Sequence, residues 1–339
     1  MTLVSVIITT YHGVKTLKRA IKSVQNQTYT DWELIVVDDN EPESETRKQT
    51  EQLIESIMEP KLRYIKMDKH RNGACARNVG VASAKGKYVA LLDDDDIYYP
   101  NRLECCVCVL EEKREYDGVL TGGYHVDENV VVGKFCGIRP KEPLKRMFYG
   151  FGILGTGSNI FVSKHSWDAL NGFDETFAIR QDLEFMIRFM SQFDCFFLDE
   201  ELVLKIGTSR KGKVTNYKKI REGDIHFYET FKEQMNDLFD DKEKYEIYNE
   251  KFSWLFRVGL TSSEKDVVQA VQDLQRIRKM TIKEQLMFRF NKPYRGLKNI
   301  SFINNLKIKI QNRKKFYIDT SMVNKDFFNQ YNIKYYTRD

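Results

Sequence analysis

Long apolar runs are missing from this chain. No stretch of its 339 residues approaches the roughly 18–20 consecutive apolar residues that span a bilayer, so a membrane-crossing protein is not expected. A secretory leader is not expected either. Met1-Thr2 runs straight into Leu3-Val4-Ser5-Val6-Ile7-Ile8, which reads as a strand, with no basic segment before it and no cleavage pattern after it. Cysteines are few too. Of the six (Cys75, Cys105, Cys106, Cys108, Cys136 and Cys195), only Cys105 and Cys108 stand at CxxC spacing, and with no second pair and no histidine flanking the 105–108 cluster this argues against zinc. Set in an apolar helical pattern with Val107, Val109 and Leu110, those thiols behave as small hydrophobes and suit a reducing, cytoplasmic setting. Charge of one sign is scarce. Lys and Arg number 54 against 49 Asp and Glu, and the net +5 is too small overall to imply nucleic acid. A phosphate-cradling glycine loop is lacking as well. The single GxGxxG, Gly150 to Gly155, has no strand feeding it and no helix pattern close behind, and reads as a loop.

What is present is enough for a sizeable core: 42% hydrophobic and 13% aromatic residues in a length that suits one large domain with an appendage, or two domains. Apolar β-branched runs at Leu3–Thr10, Trp32–Val37, Leu62–Met67, Tyr88–Leu92 and Gly118–Thr121 read as strands. Helical patterns at Val14–Val24, Pro42–Met58, Gly73–Ala84 and 101–112 separate them. Such alternation predicts an α/β fold with a mostly parallel sheet flanked by helices. After Thr121 the pattern changes. Gly122–Phe135 reads as a hairpin around Asp127-Glu128-Asn129, Lys141–Tyr149 as a short helix, and Ser158–Val162 as a strand. Ser163 is placed to cap a short helix, and Gln181-Asp182 to open a longer one.

One stretch stands apart. Tyr88-Val89-Ala90-Leu91-Leu92 empties into Asp93-Asp94-Asp95-Asp96. Four adjacent carboxylates repel one another, and hard oxygens on a tight turn suit Mg²⁺ or Mn²⁺. A solvated acidic turn is the competing reading. Its neighbours at other strand ends favour the metal. In a parallel sheet, ligands gather at the carboxyl ends of strands. Thr9, Thr10 and Tyr11 end the first strand, Asp38 and Asp39 the second, and the acidic run the fourth. A ring that can stack on a base, a carboxylate that can accept an imide N–H, and a carboxylate cluster that can hold a metal against a diphosphate make up a nucleotide-diphosphate site.

Five blocks, in order, resemble family 2 glycosyltransferases of the GT-A fold. They are Ser5–Tyr11; Ser23–Tyr29 with Trp32–Asp39; Asn72–Gly80 with Ala84–Tyr88; Leu92–Asp96 with Pro100; and Gly172–Glu175 with Gln181–Glu184. The resemblance covers about residues 3–206 and implies an inverting, non-processive enzyme. It implies that Tyr11 stacks on the base, Asp39 bonds it with Thr9 alongside, and Asp93 and Asp94 approach the ribose and diphosphate. It implies Asp95 as the main metal ligand for Mn²⁺ or Mg²⁺, and Asp182 as the general base. Arg77 is placed either to position the diphosphate or to pack across the sheet edge. Thr9, His12 and Gln181 depart from the residues common at those places, and no Gln-x-x-Arg-Trp of processive synthases is present. The expected reaction moves a sugar from a nucleotide donor, a UDP-sugar foremost, to a hydroxyl of a growing bacterial surface glycan, with a lipid-linked acceptor as one form. A sugar-nucleotide pyrophosphorylase would need a glycine-rich basic signature where Tyr11-His12-Gly13-Val14-Lys15 stands. A non-catalytic nucleotide-sugar-binding module would not need Asp182.

The expected domains are a catalytic one over 1–215 (donor half about 1–121, acceptor half about 122–215) and a C-terminal helical region over 216–339. Within the latter, 283–318 is basic and aromatic. Lys283, Arg289, Lys292, Arg295, Lys298, Lys307, Lys309, Arg313, Lys314 and Lys315 face a single acid, Glu284. That composition suits either the inner face of the cytoplasmic membrane or a solvated or oligomer-contacting helix. Oligomeric state stays open, and nucleic acid is not expected as a partner.

Overall fold

A computed structural model describes residues 2–135, 137–150, 152, 154–207, 216–260, 262–289, 317–318 and 324–337. The chain divides into two compact units: residues 1–209 together with 318–339, and residues 210–317.

The first unit is built on the strands β1 (Val4–Thr10), β2 (Trp32–Asp38), β3 (Leu62–Lys66) and β4 (Tyr88–Asp93). The helices α1 (Val14–Gln25), α2 (Glu45–Glu55) and α3 (Gly73–Ala82) connect them. β1 pairs in parallel with β2 on one side and β4 on the other. The strand order therefore reverses beside β1, and its carboxyl end is the switch point at which a ligand crevice opens. Alternation fixes the two faces. Val4, Val6 and Ile8 join Leu17, Ala20, Ile21 and Val24 of α1 in one core. Ile7 and Val37 face α3, which approaches so closely at Gly80 that a methyl there would fall 2.5 Å from Ile7 Cγ2.

Beyond β4 the sheet becomes mixed. Its order is β3-β2-β1-β4-β8-β6-β9-β5, with β7 paired to β6 off this path, where β5 is Ile97–Tyr98, β6 Gly118–Asp127, β7 Val130–Phe135, β8 Phe161–Ser163 and β9 Cys195–Gly207. Glu128 and Asn129 both have positive φ (47° and 61°), the geometry that matches the twist of the expected β6–β7 hairpin. The helices here are α4 (Arg102–Glu112), α5 (Pro143–Phe148), α6 (Lys164–Ala169) and α7 (Gln181–Gln192). Ser163 caps α6 by accepting from Ser166 N–H at 3.0 Å. The strand expected at Ser158–Val162 begins only at Phe161. Gly157–Asn159 is a 3₁₀ turn, because the side chains of Ser158 and Asn159 bond to Asp96 and Thr121 instead of leaving the backbone to a ladder. β9 is not evident from sequence. Its alternation breaks at Asp199-Glu200-Glu201, where the pairing with β6 shifts register.

The second unit is helical: α8 (Tyr217–Thr230), α9 (Lys232–Leu238), α10 (Asp241–Gly259), α11 (Glu264–Ile277) and α12 (Ile282–Arg289). Phe256, Leu260, Val267 and Leu274 form its core, with Phe252 and Met280 against them. Arg278, just past α11, ties this helix to two others. It donates to Asn249 and, at 3.0 Å, to Ser253 of α10, and pairs at 2.8 Å with Glu284 of α12. No described helix is long and apolar enough to cross a membrane. Of the basic segment 283–318, residues 290–316 lie outside the described residues. A last helix, α13 (Lys325–Gln330), belongs to the first unit.

Candidate active site

The rim at the end of β1 and β2 holds an aromatic cluster. The chain leaves β1 through Tyr11 and His12, whose φ is 57°. His12 N–H donates to Asn40 Oδ1 at 2.8 Å, pinning this turn to the one after β2. Tyr11 is 43% exposed, its ring stacked on His70 with centroids 4.0 Å apart and its hydroxyl donating to Glu41 at 3.0 Å. Asp39 is buried below them. Its carboxylate lies 3.0 Å from His70 Nδ1 and accepts from Arg71 N–H at 3.0 Å. Burial raises the Asp39 pKa, and those two partners oppose the rise. Asp38 has a different task. Bonded to Asn40 and Tyr64 and paired with Arg47 at 3.2 Å, it anchors the turn from inside the fold.

β4 delivers the acidic run beside this rim, with Asp93 in register with Thr9. Asp96 N–H donates to the Asp93 carbonyl at 3.1 Å and closes the turn. Asp93, Asp95 and Asp96 each offer a carboxylate oxygen within 4.8 Å of the others, a set of hard ligands that fits a divalent cation. Asp96 is 2% exposed and caps no helix; Asn101 precedes α4. Instead it accepts from Thr156 (2.9 Å), Ser158 (2.6 Å) and the Ile206 N–H (2.9 Å), joining three segments under the run. Burial, then the neighbouring Asp93 and Asp95, push its pKa up. Asp94 points toward Gly13, where a methyl group would fall 1.7 Å from its Oδ2, so only glycine fits at position 13. Burial lifts the Asp94 pKa to about 7.

α7 brings Asp182, the residue expected on the acceptor side. Arg180, with φ 63°, turns the chain so that Asp182 stands in the first helical turn, its Oδ1 accepting from Leu183 N–H at 3.0 Å. A methyl placed on Gly157 would stand 3.5 Å from Asp182 Oδ2 and 3.8 Å from Asp93 Oδ2. The two carboxylates, eighty-nine positions apart in the chain, thus border one small space walled by a bare glycine. Arg77 spans it, 2.6 Å from Asp93 Oδ1 and 3.2 Å from Gln181 Oε1. Burial raises the Asp182 pKa; Arg77 opposes the rise and Asp93 adds to it.

Several supporting residues are given no role by the sequence. Asn78, next to Arg77, donates to Phe173 O and accepts from Phe173 N–H, both at 2.9 Å, which locks the 172–175 turn onto α3. Arg102 is fully buried and meets neutral groups: Thr121 Oγ1 at 2.6 Å, Asn159 O at 3.1 Å, and the face of Tyr98 at 4.6 Å. It holds the turn that carries Ser158. Lys205 donates to Gly155 O at 2.8 Å on the same side. Of these, Asn78 stands in the Asn72–Gly80 block and Lys205 in the basic run Lys205–Lys213.

A family model described as glycosyl transferase family 2 matches residues 5–194. An uncharacterized glycosyltransferase of Rickettsia bellii is 32% identical over 213 residues, which are 60% of this chain and 29% of that protein's length. WcaA of Escherichia coli K12, named for colanic acid biosynthesis, is 29% identical over 77% of this chain and 93% of its own. WfgD of Escherichia coli, named as a UDP-Glc:α-D-GlcNAc-diphosphoundecaprenol β-1,3-glucosyltransferase, is 31% identical over 39% of this chain and 50% of its own. Among solved structures, Staphylococcus aureus TarS 1–349 with UDP-GlcNAc superposes with a TM-score of 0.55 at 17% identity, covering 87% of this chain and 88% of that one. PcManGT, a mannosyltransferase of Pyrobaculum calidifontis with GDP-Man and Mn²⁺, gives 0.51 at 14%, covering 86% and 79%. These two likenesses establish the expected GT-A fold.

Proposed function

The chain belongs to glycosyl transferase family 2, and on that premise we propose that it transfers a sugar, with inversion, from a nucleotide-diphosphate donor to a hydroxyl of a growing bacterial surface glycan. The observation that carries this reading is the meeting of Asp93 and Asp182 at Gly157, with Arg77 between them. It brings a donor-side and an acceptor-side carboxylate around one reaction-sized space. A UDP-sugar is the favoured donor. Tyr11 offers a ring to a base, Asp39 an acceptor for an imide N–H, and the TarS complex holds UDP-GlcNAc. The lipid-linked acceptor named for WfgD and the composition of 283–318 support a peripheral place at the inner face of the cytoplasmic membrane.

In this reading Asp182 is the general base. Its Oδ2 takes the proton from the acceptor hydroxyl as that oxygen attacks the anomeric carbon opposite the leaving diphosphate. Burial, by raising its pKa, moves it toward the range in which a base works at neutral pH. Arg77, paired with Asp93 and bonded to Gln181 beside Asp182, places positive charge next to both carboxylates and faces the diphosphate. Thr9 and Asp94 line the donor side, and Asp96 holds the turn in shape. Asp95, with Asp93 and Asp96, supplies the oxygens that Mn²⁺ or Mg²⁺ would bind, an ion that would neutralise charge on the leaving group. The catalytic domain is taken as 1–215.

A donor panel read by thermal shift, with and without Mn²⁺, tests the assignment, since bound donor raises apparent stability by mass action. A UDP-sugar is expected to give the largest shift, lost on chelation and in Asp95→Ala. Asp182→Asn is expected to keep the shift and lose transfer by roughly a hundredfold or more. Donor binding indifferent both to chelation and to Asp95→Ala would refute the metal assignment.

A further inference from the structure

We propose that residues 324–337 are a positioning strap for the donor site, holding the Asp93–Asp96 turn in its binding shape from behind. The inference rests on the donor-site reading above. This segment lies far beyond the residues matched by the family model, which end at 194. It returns to the first unit after the whole of the second.

The contacts are specific. Asn324 caps α13 by accepting from Phe327 N–H at 3.0 Å. The Phe327 ring stacks on Tyr99 with centroids 4.0 Å apart. Phe328, fully buried, meets Tyr99 edge-on at 6.3 Å and Tyr124 at 6.1 Å. Asn332 turns the chain with φ 52°, and Lys334 then exchanges backbone bonds with the β6–β7 hairpin, donating to Asn129 O at 2.7 Å and accepting from Val131 N–H at 2.9 Å. The strap is therefore fastened to the hairpin at one end and to Tyr99 at the other.

Tyr99 is three residues past Asp96, and its N–H donates to Leu202 O at 3.0 Å. A second connection runs through α1. Arg19 donates to the Asp95 carbonyl at 2.9 Å, and the buried Tyr331 hydroxyl is within electrostatic reach of its guanidinium. Neighbouring carboxyl groups that are ionised repel one another, and the turn has to hold them together. Asp96 resists this from inside the fold, through its three donors. The strap resists it from outside, through the Tyr99 ring and through Arg19 on the Asp95 backbone.

The test compares full-length Phe327→Ala, Phe327→Tyr, Tyr331→Phe and Asp95→Ala with the parent, measuring UDP binding by calorimetry with and without Mn²⁺. Val267→Ala, a core truncation in the second unit, controls for destabilisation alone. Loss of the stack is expected to weaken UDP binding in Mn²⁺ about three- to tenfold in Phe327→Ala, with Phe327→Tyr restoring it and Val267→Ala leaving it unmoved. Tyr331→Phe, which keeps the ring, is expected to weaken binding less. Should Phe327→Ala fail to fold, Tyr331→Phe and Phe327→Leu decide by the same measurement. Parent-like affinity in the strap variants, with Asp95→Ala weakened, overturns the strap and leaves the donor site standing. Parent-like affinity in Asp95→Ala as well overturns the donor-site reading itself.

Discussion

Gly157 is where single-residue chemistry is most exposed to test. Its missing side chain leaves the space between Asp182 and Asp93 open, and a methyl added there would sit 3.5 and 3.8 Å from their oxygens, ordinary van der Waals contacts. Gly157→Ala is therefore expected to fold with an unchanged melting temperature and to bind UDP within about threefold of the parent, while transfer falls tenfold or more because the acceptor oxygen is displaced. Equal transfer rates in steady-state assays would show that the reacting atoms lie elsewhere. Arg102 makes the opposite prediction. Arg102→Met removes donors from Thr121 and the Asn159 carbonyl in a buried site, at a cost of about 3 kcal/mol by denaturant titration. The acidic residues of the site are legible in sequence because carboxylates crowded at a strand end have few structural uses. His70, Arg102 and Ser158 are not, because each acts through a partner distant in the chain and has no local pattern of its own.

At the scale of elements, β1 to β4 and their helices are legible because each keeps one period throughout. β5 is only two residues long, and β9 hides its period behind Asp199-Glu200-Glu201. The helices of the second unit are legible as a helical layer, but their cross-links are not. Hydrogen bonding to Arg278 is the largest effect holding the Glu284 pKa down, to about 2, against an ordinary 4.5. A depressed carboxylate contributes stability that is fully present above its unfolded pKa and disappears as pH falls through the folded one. Arg278→Met is expected to destabilise the second unit by about 2 kcal/mol at neutral pH, a partly exposed pair losing less than a fully buried one. That difference should shrink as pH drops from 4.5 toward 2, followed by circular dichroism melts. A constant difference across the range would mean that Arg278 works by packing, not by charge.

At the scale of the whole molecule, two units with separate cores predict unfolding in more than one step. Scanning calorimetry should resolve two transitions. UDP with Mn²⁺ at about 100 times its dissociation constant should add about 2.7 kcal/mol to the first unit alone. A single transition that moves as one would count against this division. The discontinuity of the first unit also has a consequence in time. Its last segment, 318–339, leaves the ribosome only after residues 210–317 have been made. At about 5–20 residues per second, that interval is on the order of ten seconds. Through it the nascent sheet carries its crowded aspartates with Tyr99 uncovered, so nucleotide affinity is expected to rise severalfold when residues 324–337 arrive.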